Sequence, residues 1–289
     1  MKEKIQVPYS TGREPSQLNT HYKICDTHFH IFDPVHFPYK ESDTRNQPPA
    51  TVDCYRLLMR RTGIERCVIV NPSCYGTNND CTISALRQFG DCARAVAVID
   101  DSITMDTLRT WDQFGVRGIR FNLVSGSEDM LNNALSLSEK IALLGWNTAF
   151  YMNPEVIIRF SKKLEQYPTT IVFDHMGHLP PDNGVRHEAY AFILSLLKSK
   201  KAYVKLSGFY LNSEQPDLGD TLAIGKSYIH DCPEGLVWGT DWPHHNRWIH
   251  QKPMPDDVYM LDSLMGNIPD EVRKMILCDN PAKLYDFAD

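Results

Sequence analysis

The chain has 289 residues, 42% of them hydrophobic and 23% charged, which supplies a large core and argues against gross disorder. A formal net charge of −6 with no dense basic run speaks against a nucleic-acid binder, although a local pocket for an anion stays open. No apolar run is long enough to span a bilayer, and the polar start MKEKIQVPYSTGREPSQLNT lacks the apolar middle of a secretory signal.

A cytoplasmic location without membrane attachment is therefore expected. The 8 cysteines are scattered with no CxxC pair, and several sit in apolar runs as buried free thiols do. Neither a disulfide scaffold nor a thiolate zinc site is expected.

Residues 1–22 read as an N-terminal extension and 23–289 as one domain. The first apolar run is KICDTHFHIF (23–32), followed by a long Pro-rich segment, 32–50. Thr51 is placed to N-cap a helix through Arg61, with Gly63 at its far end. Further strand-like runs are RCVIVNP (66–72), RAVAVI (94–99), VRGIRFN (116–122), NTAFYM (147–152), TTIVFDH (169–175), AYVKLSG (202–208) and LVWGTDW (236–242). Helical patterns fall between them at 80–89, 103–114, 129–144, from Pro154 to about Tyr167, 187–199, 217–230 and 256–266. Continuous apolar strands imply burial on both faces, as in parallel sheets. Eight strand–helix units favour a closed (β/α)₈ TIM barrel, for which about 250 residues is typical, over an open doubly wound sheet. The absence of a Gly-rich phosphate fingerprint after the first strand points the same way. Segments 32–50, 177–185 and 243–257 would then lie around one barrel mouth.

Chemistry-bearing residues sit at the ends of these runs. His28 and His30 in DTHFH are spaced to share a strand face. His175 in FDHMGH and Asp241 in GTDWPH close the sixth and eighth strands, where barrel enzymes carry catalytic groups. Each position alone has an ordinary reading, as a hydrogen-bonded core histidine or a helix cap. Together they bring three imidazoles and a carboxylate to one mouth, because the first and eighth strands are neighbours in a closed barrel. A base for water and donors for a developing oxyanion are what ester hydrolysis requires.

The motifs DTHFHIF, NPSCYGTNN, VRGIRFN, FDHMGH, VKLSGFY, WGTDWPHHN and DNPAKLYDF, in this order from Asp26 to Phe287, resemble the amidohydrolase superfamily. The resemblance is to its branch of pyrone-dicarboxylate lactonases and sugar-lactone hydrolases and isomerases. It implies a hydrolase that opens a small lactone, with Asp241 as general base on water and His28, His30 and His175 polarising the carbonyl. Arg120 would hold a substrate carboxylate, its alternative being an ion pair inside the barrel. Ser73, Tyr75, Tyr151 and Asn246 match pocket positions, with packing an equal alternative for the two tyrosines. Arginines that the lactonase pattern carries are replaced here by Gly126, His178 and Leu211, which points to a monocarboxylate or a neutral hydroxylated lactone. His178 and Arg247 are candidates to compensate.

The wider superfamily binds zinc or another divalent metal, and His28, His30, His175 and Asp241 would form such a ligand set. Arg120 and Tyr151, however, occupy positions where metal-dependent relatives place further ligands, and the lactonase branch works without metal. No obligatory metal is therefore expected. Alternatives are a metal-dependent hydrolase or decarboxylase, a sugar-lactone isomerase, and a non-catalytic binding protein. The expected partner is a small-molecule lactone, and a homo-oligomer is compatible with the sequence.

Overall fold

Strands buried on both faces need cover on both, and the chain provides it by closing them into a ring. The computed structural model describes residues 3–124 and 127–288. Its strands are β1 (Ile24–Phe29), β2 (Ile64–Val70), β3 (Ala93–Ala97), β4 (Val116–Asn122), β5 (Asn147–Tyr151), β6 (Ile171–Phe173), β7 (Ala202–Leu206) and β8 (Leu236–Trp238). All neighbouring pairs are parallel and follow chain order. The ring closes through backbone bonds between β1 and the segment after β8. Asp241 N–H donates to His28 O at 2.7 Å and His30 N–H to Trp242 O at 2.8 Å. Gly239 permits this approach, since a Cβ there would lie 2.8 Å from both His28 N and its Cβ. The fold is the expected (β/α)₈ barrel.

The helices are α1 (Val52–Thr62), α2 (Asp80–Phe89), α3 (Met105–Phe114), α4 (Glu128–Ala142), α5 (Pro154–Arg159), α6 (Ser161–Leu164), α7 (Glu188–Lys198), α8 (Gly219–Asp231), α9 (His245–Ile249), α10 (Asp257–Met265), α11 (Asp270–Lys274) and α12 (Asn280–Tyr285). Thr51 caps α1 by accepting from Cys54 N–H, and Gly63 ends it at φ 85°, as its sequence predicts. The single helix expected from Pro154 to about Tyr167 is two, because Phe160 leaves helical geometry at φ −110°, ψ 15°. Strand ends are shorter than the apolar runs, since residues such as His30, His175 and Asp241 belong to the turns that follow.

Two cores result. The larger lies between strands and helices and takes in Ile5, Val7 and Leu18, so the N-terminal extension packs against the barrel domain. Trp242 Nε1 donates to Pro8 O at 2.8 Å, tying that extension to the last barrel loop. The smaller core fills the barrel interior with Cys25, Val68, Val70, Val96, Ala149 and Val172, closed by Tyr285 and Phe287 from the chain end. Among the described residues, no helix is long and apolar enough to cross a membrane.

Candidate active site

Alternation along the strands carries the barrel interior from apolar to charged. On β6, Val172 is followed two residues on by Asp174. Ala149 and Tyr151 on β5, and Tyr203 and Lys205 on β7, share their faces in the same way. The β1–β2 register shifts between Asp26 and Phe29, the stretch that holds His28. Asp26 fixes this stretch: its carboxylate accepts from His28 N–H, Thr240 N–H, the Thr240 hydroxyl and the Tyr55 hydroxyl at 2.6 to 3.0 Å. Burial outweighs those donors and raises its pKa to about 6.

Asp241 stands at the centre of the mouth at φ 63°, in the left-handed region that Asp tolerates better than most residues. Its Oδ1 lies 3.5 Å from His28 Nε2, 3.6 Å from His30 Nε2 and 4.0 Å from His175 Nε2. Oδ1 has no hydrogen-bond partner, whereas Oδ2 accepts from the buried Tyr210 hydroxyl at 2.6 Å. The four residues singled out at the strand ends are thus brought together. Burial alone would raise the Asp241 carboxyl, but the imidazoles of His175, His30 and His28 outweigh it and hold the group well below the usual carboxylate range. His28 is pushed far down by burial and the adjacent Lys205 charge, and His175 is pushed down by burial. The surrounding imidazoles thus favour the carboxylate form of Asp241, while burial disfavours charge on His28 and His175.

Each imidazole is held from behind. His30 Nδ1 meets Val70 O at 2.7 Å, His175 Nδ1 meets Ser207 Oγ at 3.0 Å, and His28 Nδ1 meets Lys205 Nζ at 3.2 Å. Gly208, at φ 64°, leaves room for His175: a Cβ there would lie 2.5 Å from its Nδ1.

A cavity of ≈ 50 Å³ opens on Asp241, His30 and His175. Ser73, Arg120, Tyr151 and Asn246 line it, together with Leu211 and His245. Burial lowers His245 to about 3. Arg120 Nε donates to Asp174 at 2.7 Å, so the internal ion pair exists while the guanidinium still borders the cavity. A second cavity of ≈ 340 Å³ shares Ser73, Arg120 and Asn122 with the first and adds Lys40 and an apolar wall including Val98, Leu123 and Leu137.

Tyr75 and His178 sit elsewhere. The Tyr75 hydroxyl accepts from Asp33 N–H at 2.9 Å and its ring packs 5.2 Å from Tyr39, which is the packing alternative. His178 lies behind Tyr151, with its Nε2 3.0 Å from the tyrosine hydroxyl, and burial lowers it to about 4. Leu211 puts an apolar side chain on the cavity wall. Gly126 lies outside the described residues. Arg247 donates to Tyr210 O at 2.9 Å.

Sequence reasoning did not assign Asp174, Lys205, Tyr210 or Arg45. The last comes from the long loop after β1 and donates to Ser73 Oγ at 3.1 and 3.2 Å. A lysine inside the apolar run AYVKLSG was the available signal, because a buried charge requires a partner.

The donor chemistry also fits a metal ion. One ligand atom each from His28, His175 and Asp241 lies within 4.8 Å of the others, all three residues are buried, and His28 Nε2 and Asp241 Oδ1 are unpartnered.

The barrel fold is shared with known proteins. The amidohydrolase family model matches residues 25–287, and the chain belongs to that family. It is 31% identical over 276 residues to a 2-pyrone-4,6-dicarboxylate hydrolase from Comamonas testosteroni, covering 90% of this chain and 89% of the relative. A 4-sulfomuconolactone hydrolase from Hydrogenophaga intermedia is 30% identical, covering 90% and 88%. Among solved structures, a Pseudomonas putida protein described as a 2-pyrone-4,6-dicarboxylic acid hydrolase superposes with a TM-score of 0.81 at 26% identity, covering 93% of this chain and 100% of its own.

Proposed function

We propose that this protein hydrolyses a small lactone without an obligatory metal. The observation that carries the reading is the unpartnered Asp241 Oδ1, ionised and ringed by three imidazoles in a buried mouth. Asp241 takes a proton from water as that water attacks the lactone carbonyl. N–H groups of the imidazole cluster steady the charge developing on the carbonyl oxygen, and the ring oxygen takes from Asp241 the proton it received and leaves as the alcohol of a hydroxy acid. The small cavity has room on the scale of a water molecule, about 30 Å³ in the liquid. The larger cavity takes the ring and its substituents across the Ser73, Arg120 and Asn122 boundary.

Arg120, steered by Asp174, is the anchor for a carboxylate on the substrate, with Ser73, Tyr151 and Asn246 as polar contacts. Leu211 supplies no charge for a second carboxylate, which favours a monocarboxylate or a hydroxylated neutral lactone. If zinc or another divalent ion binds, His28, His175 and Asp241 hold it with His30 alongside. It would then supply Lewis-acid polarisation of the carbonyl.

The test is a panel of sugar lactones and pyrone carboxylates, with acid release followed by a pH indicator. Acid release from at least one member, abolished by Asp241→Asn, supports the reading. Conversion to an isomeric lactone without acid release, or a fully active Asp241→Asn variant, overturns it.

A further inference from the structure

The loop between β1 and α1 carries an ion pair that the chemistry above does not use. The side chain of Asp43 is 1% exposed, and Arg45 donates to it through Nε, at 3.0 Å to Oδ1 and 2.9 Å to Oδ2, and again through Nη2. The Arg45 backbone N–H donates to the same Oδ1 at 3.0 Å. A planar guanidinium gripped along one edge presents its outer end in a fixed direction. That end meets Ser73: Nη1 and Nη2 both donate to its Oγ, at 3.2 and 3.1 Å.

A guanidinium stays charged in proteins and carries only donors, so Ser73 Oγ is the acceptor in both contacts. Two N–H groups occupy the two lone pairs of the hydroxyl, and its own proton is what remains to be shared. Among the described residues, no acceptor takes that proton. Ser73 lines both the small cavity over Asp241 and the larger one beside it, as Arg120 does, whereas Arg45 lines neither and acts from behind. The junction of the two cavities is thus bordered by a guanidinium and by a hydroxyl with only its proton to give.

We propose that Arg45, held by Asp43, is a positioning residue that makes Ser73 a dedicated hydrogen-bond donor, so that the junction beside Arg120 selects a carboxylate on the substrate. A carboxylate offers only acceptors and satisfies both donors. A neutral hydroxyl in the same place lacks the charge assistance that makes such bonds about twice as strong. The charge on Arg45 also polarises the Ser73 O–H and strengthens it as a donor. The proposal deepens the proposed function and rests on it for the lactone ring. Of the two substrate classes left open there, it selects the monocarboxylate over the neutral hydroxylated lactone. The recognition itself can be measured without any turnover.

Tetrahydrofuran-2-carboxylate and tetrahydropyran-2-carboxylate, ring ethers that cannot be hydrolysed, are titrated by calorimetry into the full-length protein beside their carboxamides. The wild type should bind at least one carboxylate, and more tightly than its carboxamide. Arg45→Met should weaken the carboxylate about tenfold and the carboxamide less than about threefold, whereas a merely structural loss would weaken both alike. Ser73→Ala should weaken the carboxylate at least as much. In the double variant Arg45→Met should add nothing further, because Arg45 acts through that hydroxyl. Three results overturn the proposal: no carboxylate binding to the wild type, an unchanged affinity in Arg45→Met, or an equal loss from Arg45→Met when Ser73 is already alanine. Should Arg45→Met fail to fold, the isosteric Asp43→Asn, which loosens the guanidinium without removing it, decides. The same selective loss supports the proposal and an unchanged carboxylate affinity overturns it. If these ligands behave as expected but no lactone releases acid, the proposed function fails while the carboxylate site stands.

Discussion

Removing the Tyr210 hydroxyl isolates the control of the general base. That hydroxyl is the one described donor to Asp241 Oδ2, at 2.6 Å, and burial together with the neighbouring carboxylate raises its own pKa, so it stays protonated through the neutral range. A hydrogen bond to a buried charged group contributes about 1.5–3 kcal/mol. Because the hydroxyl donates to the ionised carboxylate, it favours that form and lowers the pKa of Asp241. In Tyr210→Phe this stabilisation is lost, so the Asp241 pKa rises. At 1.36 kcal/mol per pKa unit, the displacement is about one to two units. The assay is kcat/KM against pH for a hydrolysed lactone, wild type beside variant. The acid limb should move to higher pH while the plateau is largely kept. An unmoved acid limb, or one displaced to lower pH, refutes the reasoning.

Asp241→Asn should lower kcat by about two to four orders of magnitude while circular dichroism shows an intact fold. Arg120→Met should raise KM for a carboxylated lactone about ten- to a hundredfold and leave a neutral lactone less affected, as paired initial-rate measurements will show. Gly208→Ala places a Cβ 2.5 Å from His175 Nδ1 at a backbone φ of 64°. It should lower kcat through displacement of His175 and cost about 1–3 kcal/mol of stability, read from the denaturant midpoint.

Much of the site was legible because its chemistry stands at strand ends. His28, His30, His175 and Asp241 each follow an apolar run, and the ring order of a barrel brings those ends together. The barrel itself was legible in eight runs buried on both faces. The supporting groups were hidden for two physical reasons. Asp174 and Lys205 pair across β6 and β7, a contact set by sheet register that no local spacing reveals. Tyr210 and Arg45 act from loops, whose paths depend on tertiary packing. Helices α11 and α12 and the interior plug of Tyr285 and Phe287 went unassigned for a related reason. Their segment is short, and its role as a barrel floor emerges only when the strands have closed. Tyr75 and His178, two further candidates, turn to Asp33 and Tyr151 here, contacts that sequence spacing does not reveal.

The central claim, lactone hydrolysis by Asp241 and the imidazole cluster without an obligatory metal, is tested most directly by metal content and rate measured on the same sample before and after chelation. The account predicts no stoichiometric ion and an unchanged rate of acid release from the lactone. One tightly bound ion per chain, with activity lost on its removal and restored on its return, would contradict it.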